Sequence, residues 1–173
     1  MAAVFIVETG QALSDSNSYM LVSEADDYND NHEADATWIA ATDDDKKKSL
    51  RIATEYLDAV YSSRWKGSRV SRDQALDWPR TNVVDRDGFA IYSDEVPRQL
   101  KSACAVMALR SLLGEDLLPD LASPGSVKRT RDKVGPVETE TEYQGGNSPI
   151  KIYRKTDSLL SDLIYPSETV ERG

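Results

Sequence analysis

Ser93-Asp-Glu-Val-Pro-Arg-Gln-Leu100-Lys-Ser-Ala-Cys-Ala-Val-Met-Ala-Leu-Arg110-Ser-Leu-Leu-Gly114 is the stretch around which the rest of the chain is organised. Val96, Leu100, Ala103, Cys104, Met107, Ala108 and Ser111 recur at three- and four-residue spacing and mark the buried face of a helix. Ser93 is the expected N-cap, with Asp94 and Glu95 in a first turn where the helix dipole favours acids and Pro97 is tolerated. Gly114 ends the helix and Pro119 follows it. Ala103, Ala105 and Ala108 are small enough for a neighbouring helix to approach closely, so the spacing predicts a central helix. Cys104 lies on its apolar face and reads as a small buried hydrophobe, not a nucleophile.

Upstream, Trp78-Pro79 pushes residue 78 out of the helical region and sets a large ring beside a rigid turn. Asp85-Arg-Asp-Gly88 alternates acids before a glycine, as part of a calcium loop does, but the later glutamate ligand is missing. An Asx-type turn is the expected reading. Before this lies a second major helix opened by Thr42, with Asp45 at the capping-box position and Asp43, Asp44 and Asp45 in its first turn. Asp43–Lys47 and Asp44–Lys48 are i,i+4 pairs on a solvated face. Leu50, Ala53, Tyr56, Leu57, Val60 and Tyr61 form the stripe that should pack on the central helix. Nearer the N-terminus, Val4–Val7 reads as a short strand and Tyr19–Val22 as a second extended piece. Ser23 caps a helix carrying Ala25, Tyr28 and the single histidine, His32, which has no partner at metal-ligand spacing.

Beyond Ser123-Pro-Gly125, residues 127–134 and 137–143 read as a two-stranded hairpin around Gly135-Pro136. With Val134 facing Val137, Lys133 lies opposite Glu138, Arg131 opposite Glu140 and Arg129 opposite Glu142. Thr130–Thr141 and Asp132–Thr139 fill the other face. Neither face is apolar, and an isolated hairpin is marginal in water, so it should dock on something. A further strand is expected at Ile150–Tyr153. A last short helix carries Leu159, Leu160, Leu163 and Ile164 on one side, too short to be stable alone. The expectation is a mainly α fold: a small helical-bundle domain over residues 1–122, a β-hairpin extension over 123–149, and a C-terminal arm over 150–173. The candidate interface residues are Arg129, Arg131, Lys133, Glu138, Glu140, Glu142, Tyr153, Leu159, Leu160, Leu163 and Ile164.

Composition narrows the function. The chain has 173 residues, 39% of them hydrophobic and 29% charged, and a net charge of −9 that opposes general binding to phosphate backbones. No apolar run reaches membrane-spanning length and the N-terminus lacks a signal-peptide pattern, so a soluble protein with no membrane partner is expected. One histidine gives no nucleophile–base–orienter set, and no glycine-rich phosphate loop is present. An enzyme is not expected, nor is a cofactor or metal. Arg64, Trp65, Lys66 and Arg69 form the one basic, aromatic patch that could face DNA.

Several short motifs, taken in order, carry a resemblance. They are Val7-Glu-Thr-Gly10, Asn17-Ser-Tyr19, Ser23-Glu-Ala-Asp-Asp-Tyr28, Ala53-Thr-Glu-Tyr-Leu-Asp58 and Trp65-Lys-Gly67. Gln74-Ala-Leu-Asp-Trp-Pro-Arg80, Asp85-Arg-Asp-Gly88, Ser93-Asp-Glu-Val-Pro97 and Lys133-Val-Gly-Pro-Val137 complete them. Over residues 4–165 the chain resembles tailed-bacteriophage head–tail connector (adaptor) proteins, whose members often carry the label DnaT-like single-stranded DNA-binding protein. The resemblance implies a structural virion protein made in the host bacterial cytoplasm. Twelve copies would form a ring between the phage portal protein and a tail-side stopper or tail-completion protein. Duplex DNA would pass through the channel without tight binding, which the acidic chain suits. The alternative is the activity in the label, single-stranded DNA binding.

Overall fold

The structure, a computed structural model, describes residues 4–32, 34–119, 130–134, 137–141 and 153–166. The chain is mainly helical, as the periodicity predicts. Its elements are α1 (Val22–His32), α2 (Ala36–Ala40), α3 (Asp43–Tyr61), β1 (Ser68–Arg69), β2 (Arg80–Thr81), β3 (Val83–Val84), β4 (Ala90–Ile91), α4 (Arg98–Leu112), β5 (Thr130–Val134), β6 (Val137–Thr141) and α5 (Arg154–Leu160). Two compact units are formed, one of Met1–Leu117 with Arg154–Gly173, the other of Leu118–Tyr153.

The first unit is built on α4, which packs against α1, α2, α3 and α5. Ala103 to Ala108 are buried without interruption, so the helix is enclosed well beyond one stripe. Its small side chains permit this, because a helix surrounded by others must present little bulk on each side. The helix begins later than expected. Ser93–Glu95 form a turn, and Pro97 is the N-cap with no side-chain capping bond. Proline disfavours the helical conformation in the residue before it, here Val96, so the helix cannot reach back to Ser93. The Asp94–Glu95 backbone instead lies against Gly10, where a Cβ would come 2.0 Å from the Asp94 carbonyl oxygen. At the other end the closure follows the sequence. Gly114 N–H donates to Ser111 O and Glu115 N–H to Arg110 O, the paired bonds of a Schellman motif.

Helix α3 is capped as its sequence predicts. Thr42 Oγ1 accepts from Asp45 N at 3.2 Å, and Lys47 lies 2.5 Å from Asp43. Leu50, Ala53, Tyr56, Leu57 and Tyr61 are buried against the core, whereas Val60 is exposed. Helix α1 starts at Val22, one residue before the expected cap, and Glu24 reaches back to accept from Leu21 N at 2.7 Å. Asp26 joins three helices, accepting from Trp38 Nε1 of α2 and Lys46 Nζ of α3, each at 2.8 Å.

No strand forms at Val4–Val7 among the described residues. A single parallel bridge, Val7 to Ser18, holds the N-terminal loop. Glu8 organises that loop from inside: its buried carboxylate accepts from Gly10 N, Ala12 N, Leu13 N and Ser16 Oγ at 2.8–3.2 Å.

Residues Arg154–Tyr165 do not form the free arm expected for the C-terminal segment. Helix α5 packs on α4. Leu160, Leu163 and Ile164 are buried, Leu159 is half-buried, and Thr156 Oγ1 lies 3.1 Å from Met107 Sδ. Tyr61 hydroxyl donates to Asp157 at 2.7 Å, and Trp65 pairs with Ile164 in an antiparallel bridge. Two turns of helix are unstable alone, but the apolar stripe is satisfied within the same unit. Tyr153 is also buried, so none of these side chains except Leu159 offers surface to another molecule.

In the second unit β5 and β6 pair in the register derived from the sequence: Thr130 with Thr141, Arg131 with Glu140, Asp132 with Thr139, Lys133 with Glu138 and Val134 with Val137. Arg129 and Glu142 lie outside the described residues, as do positions 150–152 of the expected further strand.

Candidate nucleic-acid interface

The segment between α3 and α4 forms two short antiparallel pairs, β1–β2 and β3–β4. In the second, Val83 faces Ile91 and Val84 faces Ala90. Asp85 shapes the tip: its Oδ1 accepts from Asp87 N at 2.9 Å and Phe89 N at 2.8 Å, while its own N–H donates to Phe89 O. This is the Asx turn that Asp85-Arg-Asp-Gly88 predicts, with the carboxylate engaged by backbone amides. Val83 is buried and Ile91 half-buried, so Val84 and Ala90 face outward, and alternation carries Tyr92 to that outer side. Phe89 projects where the tip rejoins the strand. Phe89 is 71% and Tyr92 69% exposed, large apolar rings that the core does not use.

Cations accompany these rings. Residues 64–92 hold six basic and four acidic side chains in a chain whose net charge is −9, and Asp157 and Asp162 join them from the C-terminal segment. Arg86 is 78% exposed and its Nε lies 3.9 Å from Asp162. Lys66 Nζ donates to Asp162 O at 2.8 Å and Val84 O at 3.4 Å, linking the hairpin to the end of α5. Arg64 Nε donates to Tyr165 O at 3.3 Å, and its guanidinium sits over the Tyr61 ring and 3.7 Å from Asp157. Arg69 is exposed and donates to Gln74 O. Arg80 has a different task. It is buried, and its guanidinium donates to the carbonyls of Lys66, Gly67 and Asp77 at 2.8–3.1 Å, fixing β1 against β2.

Of the four residues read as DNA-facing, Trp65 is corrected by the structure. It is buried, with its ring edge-on to Trp78 at 5.9 Å and tilted against Tyr61 at 5.6 Å, so no base can stack on it. Arg64 and Lys66 flank it on the outer side. The two-residue alternation of charged, aromatic, charged at 64–66 carries that outcome in the sequence. Phe89, Tyr92 and Arg86 were not singled out from the sequence. Their signal is an aromatic on each side of a two-residue strand too short to bury both.

Below this surface lies a buried polar junction. Tyr19 hydroxyl donates to the Asp58 carboxylate, whose other oxygen accepts from Asp77 N at 3.1 Å, and Trp78 N donates to the Tyr19 oxygen at 3.3 Å. Burial pushes the Asp58 carboxyl up to about 7, and burial together with Asp58 raises the Tyr19 hydroxyl well above its ordinary value. Gln74 completes the junction, its amide donating to Leu76 O and Pro79 O while its oxygen accepts from Ser71 N. The junction ties α3 to the loop that carries the two strand pairs.

Over residues 3–173 the chain matches the family described as "Putative DnaT-like ssDNA binding protein". The chain belongs to that family. No curated protein and no solved structure matches it. The match corrects the head–tail connector reading: the family it identifies is one described by single-stranded DNA binding, and nothing points to a connector family. The dodecameric ring, the portal and tail-side partners and the passage of duplex DNA without tight binding fall with that reading.

Proposed function

We propose that this member of the DnaT-like family is a non-enzymatic single-stranded DNA-binding protein whose β3–β4 hairpin meets the strand. The observation that carries the reading is the pair of exposed rings, Phe89 and Tyr92, beside exposed Arg86. Single strands are held by aromatic faces on which bases stack and by cations that follow the phosphates, and stacking tolerates any base. Duplex DNA conceals those base faces, so the hairpin favours unpaired strands. The family description supports the same polymer.

The test is fluorescence anisotropy of a labelled oligo-dT against full-length protein at low and physiological salt. The acidity of the chain sets the expected affinity at micromolar or weaker at ~150 mM salt. Phe89→Ala/Tyr92→Ala should weaken binding at least ~10-fold, since stacking is worth roughly 1–3 kcal/mol per base. A wild-type protein that binds no oligonucleotide at low salt, or a double variant with wild-type affinity, refutes the assignment.

A further inference from the structure

The hairpin does not end its aromatic, cationic surface at Lys66. Trp65 and Ile164 face each other across an antiparallel bridge, with Lys66 N donating to Leu163 O at 3.0 Å and Tyr165 N to Arg64 O at 2.8 Å. Trp65 and Ile164 both turn into the core, as Leu163 does, while Arg64 and Lys66 stay half-buried and Tyr165 reaches solvent. Tyr165 is accordingly 57% exposed, directly beyond the helix whose end Lys66 grips. Arg64 is bonded to its backbone and Lys66 spans from α5 to Val84 of the hairpin. Tyr165, Arg64 and Lys66 are thus tied to one another at the end of α5, and Lys66 and the Arg86–Asp162 pair connect them to the hairpin that carries Phe89 and Tyr92.

We infer that Tyr165 is a third base-stacking position, and that a single strand runs from the hairpin across Lys66 to the end of α5. This extension rests on the single-strand reading above. Arg64, Lys66 and Arg86 are the groups on this surface that a phosphate backbone could pair with. Rings carried on two separate elements suit a flexible, unpaired strand, whose base faces are open, better than a rigid duplex that conceals them. Asp157 and Asp162 sit against Arg64 and Arg86 and compete with phosphate for them. Stacking therefore contributes more to binding here than phosphate contact does.

Two oligo-dT probes separate the extension from its foundation, one of about four nucleotides and one of about fifteen, within and near the upper end of the site sizes known for single-strand folds. With full-length protein, Tyr165→Ala should weaken binding of the longer probe about 5-fold or more and leave the shorter one, held by Phe89 and Tyr92, within 2-fold. Tyr165→Trp should restore the longer probe, which a purely structural role for the tyrosine would not do. Circular dichroism on both variants checks that α5 remains in place. If wild type binds, Phe89→Ala/Tyr92→Ala is impaired and folded Tyr165→Ala binds both probes normally, the extension is overturned and the hairpin assignment stands. If wild type binds neither probe, both are overturned.

Discussion

The docking of α5 makes Leu160 a sensitive position. Its side chain is fully buried between α5 and α4, next to Leu163, which is also fully buried. Leu160→Ala removes three carbons from a site whose walls are helices, and those walls collapse only partly into the space. Such truncations cost about 2–5 kcal/mol, the transfer of the lost carbons plus the cavity left behind. For a chain of this length each kcal/mol lowers the thermal midpoint by roughly 2–4 °C, so a fall of about 4–20 °C is expected. Leu163→Ala should behave alike, and the double variant should depart from additivity because the two side chains share a neighbourhood. Leu159→Ala is the internal control: it is half-buried and should cost much less. The assay is calorimetry or thermal circular dichroism on full-length protein, with urea unfolding to check that the slope is unchanged. Removal of residues 154–173 uncovers Met107 and Tyr61 and should leave the rest of the unit unfolded or strongly destabilised. A truncated chain with a wild-type midpoint, or Leu160→Ala indistinguishable from wild type, would refute the docking and restore a free arm.

Two further predictions concern the Asp58 junction and the β1–β2 pair beside it. Asp58 is raised to about 7 in the folded chain from an ordinary 3.8, so the native state holds its proton where the unfolded state has released it. Its contribution to stability is complete below pH ~4 and is lost as pH rises through about 7, on the order of 4 kcal/mol across that window; Asp58→Asn should flatten that part of a urea-midpoint profile, and an unchanged profile rules the group out as its source. Gly67→Ala should be strongly destabilising, because φ is +67° and the new Cβ would come 2.1 Å from Thr81 O and 2.7 Å from Val83 Cγ2; a midpoint within a degree or two of wild type would show that β1 and β2 can shift apart.

What the sequence disclosed follows from the range of the forces involved. The α3 cap, the α4 stripe, its glycine closure, the Asp85 turn and the β5–β6 register are set by residues within a few positions of each other or by strict alternation. These were legible. The start of α4 lies beyond the Ser93 cap that the sequence suggests, although the rule that displaces it, the effect of Pro97 on Val96, is itself local. The burial of α5 is a long-range outcome: its leucines form the same stripe whether they dock on α4 or on a partner, and only the tertiary structure decides. Trp65 and Phe89 show the same limit from opposite sides. Trp65 lies in a basic run and reads as surface, yet the α5 bridge closes over it. Phe89 closes the Asx turn that the sequence predicts, yet it stands 71% exposed.

The motifs behind the family resemblance have a common structural explanation. Glu8, Asn17, Tyr19, Asp58, Gln74 and Arg80 direct their polar groups at backbone or buried partners within the chain. They fix the loops on α3 and α4 and leave the exposed rings free to meet solvent. The cations at the edge are treated similarly, because Arg64 and Lys66 already donate to the carbonyls of Tyr165 and Asp162. A phosphate must share or displace those bonds, and so gains less from them than from an arginine surrounded only by water. Few counterions are then released on binding. With one to three effective phosphate contacts, the logarithm of affinity should fall with the logarithm of salt at a slope of only about −0.7 to −2. An acidic protein can bind a polyanion on these terms: the bases supply the attraction through their faces, and Arg64, Lys66 and Arg86 need only offset the aspartates beside them.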